Sequence, residues 1–271
     1  MTGKDIRLNR LFSSGENAVV VAIDHGEFDG PLPGMIDMPE VIKNVDAQVS
    51  AVLLSPGMLA HCGAGFDYKG APMSIVRANW STVYCFHWNY NDANTVKAVS
   101  VADAVAAGAD IVLISLTLNT GSEARDAANV QIFCELANEA KKLGIPIVGE
   151  FFPAHSDKLS KEKMHEQVFR SCRILCELGA DLIKTFHTHK FEDVTASCPI
   201  PVLGLGAEKT PKQIQALELA EKIVQTGGRG VVFGRNAIQV KDPAAFQRAL
   251  CDVVKKGVPA AKAHKEHGLK D

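Results

Sequence analysis

Short apolar runs rich in β-branched residues alternate with longer stretches of helical period along the whole chain. The runs Ala18–Ile23, Ala51–Leu54, Met73–Ala78 and Ile111–Leu116 predict strands, and Ile145–Gly149, Asp181–Ile183, Ile200–Leu203 and Gly230–Phe233 continue the series. They are continuous rather than alternating, as expected of parallel strands buried on both faces. Between them the spacing predicts helices over Ser100–Ala107, Ala124–Leu143, Lys161–Leu178, Pro211–Gln225 and Pro243–Lys256. Gly108, Gly144 and Gly179 each stand between a helix and a strand, the place for a left-handed residue closing a helix. Gly108-Ala109-Asp110 and Gly179-Ala180-Asp181 repeat one turn formula, and Thr210 before Pro211 reads as a cap followed by proline in the first helical turn.

Eight strands in this alternation predict an α/β fold, a closed (β/α)8 TIM barrel in a single domain spanning 1–271, with an open doubly wound sheet as its rival. Length agrees: 271 residues suit one such barrel, and no linker or break in composition marks a second unit. With a formal net charge of −2 and scattered basic residues, no field draws the chain to nucleic acid or to an anionic membrane. No run reaches the roughly 18 apolar residues of a membrane span, and Met1–Asp5 lacks the apolar core of a secretory signal. Seven cysteines without paired CxxC spacing read as reduced thiols, so a cytoplasmic location is expected. Cys172 and Cys176, one helical turn apart, read as two small apolar residues rather than half a metal site.

In a barrel the reactive groups sit at the C-terminal strand ends. Here those positions carry Asp24-His25, Ser55, Asn79, Ser115, Glu150, Lys184, Gly204–Ala207 and Gly234-Arg235-Asn236. Lys184 follows the apolar Leu182-Ile183 and would project into the mouth, where desolvation disfavours its ammonium form. A neutral amine there can attack a carbonyl to form an imine; otherwise the lysine only neutralises Asp24 or Glu150. Asp24 could move protons or hold a substrate hydroxyl, and Glu150 could share that work or act as counter-ion.

Gly204, Gly206 and Ala207 after the seventh strand, with Gly234 and Arg235 after the eighth, form a second group. Loops at this place in a barrel bind phosphate through backbone N–H groups, and Arg235 adds a charge-assisted contact. The expected partner is therefore a phosphorylated small molecule, unless the glycines serve only tight turns. His155, His187 and His189 near Asp24 or Glu150 keep a metal-dependent lyase or isomerase open. His187 and His189 alternate along an extended chain, however, and would point apart. No metal and no cofactor is assigned.

Several segments resemble the archaeal-type class I fructose-bisphosphate aldolase family. They are Arg7–Phe12, Val21-Ala22-Ile23-Asp24-His25-Gly26 with Gly30-Pro31, Gly121-Ser122-Glu123, Ala180–Thr185, Gly204–Lys209, and Gly234–Gln239 with Asp242-Pro243. They occur in the family's order across nearly the whole chain. The resemblance implies a Schiff-base carbon–carbon lyase in which Lys184 forms the imine, Asp24 is a catalytic carboxylate and the last two loops hold a phosphate. It also implies self-association, since members are often ring-shaped oligomers, decameric rings among them. The chain departs from the aldolases at one informative place: their Tyr-Pro-Arg-Gly, whose tyrosine transfers a proton, is replaced by Phe152-Pro153-Ala154-His155. Phenylalanine cannot move that proton, which turns attention to His155, Glu150 or His187. The thiolase-like branch, acting on phosphorylated autoinducer-2, also lacks the tyrosine. Acyl transfer on a phosphorylated dicarbonyl therefore stands second to aldol cleavage, with a non-catalytic sugar-phosphate sensor a further alternative. Leu205 between two glycines also departs from the family's Gly-Gly pair.

Overall fold

The computed structural model describes residues 1–90 and 92–270. Eight parallel strands close on themselves: β1 (Ala18–Ala22), β2 (Ala51–Leu54), β3 (Met73–Arg77), β4 (Ile111–Leu116), β5 (Ile147–Phe151), β6 (Leu182–Phe186), β7 (Val202–Leu205) and β8 (Gly230–Phe233). Each pairs with its neighbours in chain order, and Ala18 beside Gly230 completes the ring between β1 and β8. The predicted barrel is thus the observed one. Val101–Ala106, Glu123–Leu143, Lys161–Glu177, Gln213–Gln225 and Pro243–Lys256 are the observed forms of the five predicted helices.

Local chemistry explains most helix ends. Ser100, Ser122, Ser160 and Asp242 each accept a backbone N–H from the first turn of the following helix. Gly144 closes the long helix in the left-handed region at φ 65°. The helix expected from Pro211 begins instead at Gln213, and the side chain of Gln215 caps the Lys212 N–H. Thr210 is not the cap: its hydroxyl is turned to the Lys212 carbonyl at 2.9 Å and the Asn236 side-chain oxygen at 3.1 Å instead of accepting an N–H of the helix.

Side-chain parity divides the interior into two apolar regions. One face of the strands packs on the helices; the other fills the barrel with Ala18, Val20, Leu53, Ile75, Leu113, Val148, Leu182, Leu203 and Val232. At the N-terminal end of the barrel this filling is continued by Leu8, Leu11 and Phe12 of the helix Gly3–Leu11 and its cap. The repeated Gly-Ala-Asp turn holds that helix in place. Asp110 accepts Arg10 at 3.1 Å and the Ser74 N–H, while Asp181 accepts Lys4 at 2.8 Å and the Ile147 N–H. One formula therefore staples both a strand start and the plug.

At the opposite end, β3 leads into an insertion that the apolar pattern did not predict. Asn79–Ser81 and Thr95–Lys97 form a short antiparallel ribbon, joined through the turns Thr82–Tyr84 and Phe86–Trp88. All seven cysteines are free thiols, and no helix among the described residues is long and apolar enough to cross a membrane.

Candidate active site

Three strands run further than their apolar composition predicts. β5, β6 and β7 end at Phe151, Phe186 and Leu205, so Glu150 and Lys184 lie within strands rather than just past them. The inward-facing positions explain why. Val20, Ala22 and Asp24 share a parity, as do Ile75 and Arg77, Leu113 and Ser115, Val148 and Glu150, and Leu182 and Lys184. Each inward series is apolar low in the barrel and turns polar at the mouth, so the top layer of the filling is ionic.

The ionic layer is closely coupled. Lys184 Nζ lies 2.5 Å from Glu150 Oε1, and the two residues are direct neighbours in the β5–β6 register. Arg77 spans the barrel, donating from Nε to Asp24 Oδ2 and from Nη2 to Glu150 Oε2, each at 2.7 Å. All four side chains are buried. Two cations therefore balance two anions, the condition for holding charge in a low-dielectric interior. Burial alone would raise the Asp24 pKa, but Arg77 and then Lys184 outweigh it and hold the carboxyl down at about 2. Glu150 is lowered in the same way, against burial, by Arg77 and Lys184. Both carboxylates are ionised at neutral pH.

Aromatic rings roof this layer. The Arg77 guanidinium lies 4.7 Å from the Tyr84 ring centroid and 5.2 Å from that of Phe28. Phe152 packs on Tyr84 at 4.7 Å and on Phe186 at 5.0 Å. Beside this roof, between the insertion and the loop after β5, lies a cavity of about 240 Å³ that includes Phe86, Phe152, His155 and Lys158 in its lining.

The loop after β1 adds two groups. His25 has its Nδ1 3.8 Å from Asp24 Oδ1, and no hydrogen bond reaches that buried nitrogen. Burial lowers its pKa and Lys184, Arg235 and Arg77 lower it further against the pull of Asp24, leaving the imidazole neutral. Glu27 has one buried carboxyl oxygen without a partner, and burial, aided by Asp24 and opposed by Arg77, raises its pKa to about 8. Since the folded value lies above the unfolded one of 4.5, its contribution to stability is complete below about 4.5 and is lost as pH rises through about 8. Glu27→Gln is therefore expected to raise the melting temperature relative to the parent at pH 8 more than at pH 5. An equal shift at both values would refute the assignment.

The loops after β7 and β8 lie against each other through Asn236. Its amide donates to the Gly206 and Glu208 carbonyls at 2.9 Å each and accepts from Thr210. Ala207 adopts a left-handed φ of 51°, and Arg235 Nη2 donates to its carbonyl at 3.0 Å, leaving the buried Nε without a partner. Gly234 makes room for the neighbouring histidine: a Cβ there would lie 2.3 Å from His25 Cε1 and 2.8 Å from the Ala22 carbonyl oxygen. Gly234→Ala is expected to displace His25 and this loop, raising the KM for substrate by roughly tenfold, about 1.4 kcal/mol. Steady-state kinetics on the variant would check it.

Asp24, Glu150 and Lys184 thus meet, and Gly206, Ala207, Gly234 and Arg235 form one adjoining surface. Gly204 does not belong to it. It lies within β7 with its open face against the helix Gln213–Gln225, where a Cβ would come within 2.5 Å of Ile223. His187 is also separate: strand alternation sends Lys184 and Phe186 inward and turns His187 onto Phe191, 5.1 Å between ring centroids. His155 is exposed, in the left-handed region at φ 51°, and faces the side cavity. No group of three or more His, Cys, Asp or Glu among the described residues is arranged to hold a metal ion.

Sequence reasoning missed Arg77, hidden inside an apparently apolar strand, and Tyr84, in the unpatterned insertion. The period-two series Met73, Ile75, Arg77 was the available signal for the first.

A closed parallel barrel with a buried lysine–carboxylate layer at its C-terminal mouth is the architecture of a barrel lyase. The family model described as DeoC/LacD family aldolase matches residues 18–240, and the chain belongs to that family. It is similar to an uncharacterized aldolase of Saccharolobus solfataricus, 30% identical over 98% of this chain and 99% of the relative. It is also similar to the 3-hydroxy-5-phosphonooxypentane-2,4-dione thiolase of Yersinia pestis, 27% identical over 97% of this chain and 86% of that one. Among solved structures, an archaeal fructose-1,6-bisphosphate aldolase whose catalytic lysine is covalently bound to the substrate's carbinolamine intermediate is 26% identical, with a TM-score of 0.78. The likeness covers 93% of this chain and 99% of that structure. The protein is an aldolase-type lyase.

Proposed function

We propose that the chain makes or breaks a carbon–carbon bond in a phosphorylated keto compound through an imine on Lys184. The observation that carries this reading is the buried contact of 2.5 Å between Lys184 Nζ and Glu150 Oε1 at the barrel mouth. Glu150 takes the ammonium proton, and the freed amine adds to the substrate carbonyl. Loss of water from the carbinolamine gives an iminium, which accepts the electron pair of the breaking bond. Arg77 holds Glu150 and Asp24 ionised, so both carboxylates can accept protons from substrate hydroxyls. The phosphate rests on the loops after β7 and β8, beside Arg235, whose buried Nε has no partner in the protein.

The relatives support the phosphorylated substrate, since two of them are named for phosphorylated compounds. Acyl transfer on a phosphorylated dicarbonyl is the second reading. It is favoured by the roof of Phe28, Tyr84, Phe152 and Phe186, which suits an acyl methyl better than a polyol chain.

Borohydride reduction in the presence of dihydroxyacetone phosphate and a phosphorylated 2,4-dione, followed by peptide mass spectrometry, tests both. The expected result is a reduced adduct on Lys184 with at least one of them. Turnover without any lysine adduct would overturn the imine mechanism. Release of free aldehyde identifies aldol cleavage, and transfer to a thiol identifies the second reading.

A further inference from the structure

The ionic layer is complete in charge but poor in a transferable neutral proton. Asp24 and Glu150 are ionised, Arg77 is held between them, and Lys184 is committed to Glu150 and then to the imine. Once the carbon–carbon bond has broken, the electron pair rests on an enamine, whose carbon must gain a proton before the product can leave. The donor must be a neutral O–H group beside the layer: Glu150 carrying the cleavage proton, or a hydroxyl whose own proton Glu150 can then replace.

Tyr84 meets this requirement. It is buried at 7% exposure, its ring fixed between Arg77, Phe28 and Phe152. The aromatic contacts orient the phenol without using its hydroxyl. That hydroxyl is buried with no hydrogen-bond partner, and the Glu150 carboxylate and the Ser115 side chain are its polar neighbours. Ser115 is already committed, donating from Oγ to Asn79 Oδ1. Burial and the adjacent Glu150 carboxylate, partly offset by Arg77, raise the phenol's pKa far above its ordinary value, so the proton stays in place until a strong acceptor arrives. An enamine carbon is such an acceptor.

We propose that Tyr84 is the proton donor that converts the Lys184-bound enamine back to the iminium, with Glu150 restoring its proton. The inference rests on the Schiff-base reading above. Glu150 accepts a proton from the substrate hydroxyl as the carbon–carbon bond breaks and the electron pair enters the iminium. Tyr84 then gives its O–H proton to the enamine carbon, becoming a phenolate that takes the proton now on Glu150. Water hydrolyses the new iminium, and Lys184, Glu150 and Tyr84 return to their starting states. Proton and electron balance closes without an external oxidant or base.

The test uses the full chain with dihydroxyacetone phosphate in deuterium oxide. Through the enamine, the parent enzyme is expected to exchange a carbon-bound proton of the ketone, read by NMR, and borohydride is expected to label Lys184. Tyr84→Phe keeps the ring stack, so its melting temperature and Lys184 labelling should hold while exchange falls by about 10²-fold or more. A purely packing role would leave exchange and labelling changed together or not at all. Exchange at the parental rate in Tyr84→Phe would overturn the proposal. If that variant does not fold, a fluorinated tyrosine at position 84 keeps the packing and makes the phenol more acidic. An unchanged exchange rate there would overturn the proposal as well. Absence of a Lys184 adduct in the parent with dihydroxyacetone phosphate and with the phosphorylated 2,4-dione alike would instead overturn the Schiff-base reading on which it rests.

Discussion

Lys184→Met is expected to abolish borohydride labelling and lower turnover by about 10³-fold or more, corresponding to at least roughly 4 kcal/mol of transition-state stabilisation. Methionine approximates the lysine stem in volume and lacks the nucleophile, so the barrel should stay folded. Glu150 keeps its contact with Arg77 at 2.7 Å in this variant, and one buried anion is therefore not abandoned. Asp24 keeps its own bond to Arg77. Loss of activity with a phosphate-binding signal intact would separate chemistry from recognition. Undiminished turnover would remove the imine from the mechanism.

Arg77→Met should have the largest effect on stability. Among the described residues Arg77 alone bonds both Asp24 and Glu150 across the barrel interior, and its side chain is only 2% exposed. Its removal leaves two buried carboxylates facing one lysine. Breaking a buried ion pair by deleting one partner costs roughly 3–5 kcal/mol, because the remaining charge is desolvated without compensation. Without Arg77 the two carboxyl pKa values rise in the folded state, so the variant binds protons more readily than the parent. The stability gap should consequently narrow as pH falls from 7 towards 4.5. Urea unfolding of parent and variant across that range measures it, and a gap below about 1 kcal/mol at pH 7 would contradict the role assigned to Arg77.

The barrel was legible because parallel strands buried on both faces give continuous apolar runs, and Gly108, Gly144 and Gly179 punctuate the helices between them. Lys184, Glu150 and Asp24 were legible because an ionisable residue directly after such a run is rare in a soluble core. The same habit concealed the ends of β5 and β6, since a polar inward residue reads as a loop when it belongs to the strand, while β7 runs on through Gly204, which reads as a turn. Arg77 was concealed for the opposite reason, being absorbed into the apolar run around it. Gly204 looked like part of a phosphate loop, but it is glycine because Ile223 occupies the space a side chain would need. His187 lay one residue out of phase with the inward face. Tyr84 belongs to an insertion held by ring stacking and a three-residue ribbon, neither of which leaves a periodic trace in sequence.

The plug at the foot of the barrel has a kinetic consequence. Leu8, Leu11 and Phe12, clamped through Asp110 and Asp181, seal the end remote from Lys184. Substrate, water and both products must therefore share a single doorway, narrowed by the aromatic insertion. On the Schiff-base reading, a fragment released by cleavage has to leave before its replacement can reach the enamine. Arrivals and departures are forced into turns, and a compound resembling the first fragment should block that queue by waiting in the doorway while Lys184 is still occupied.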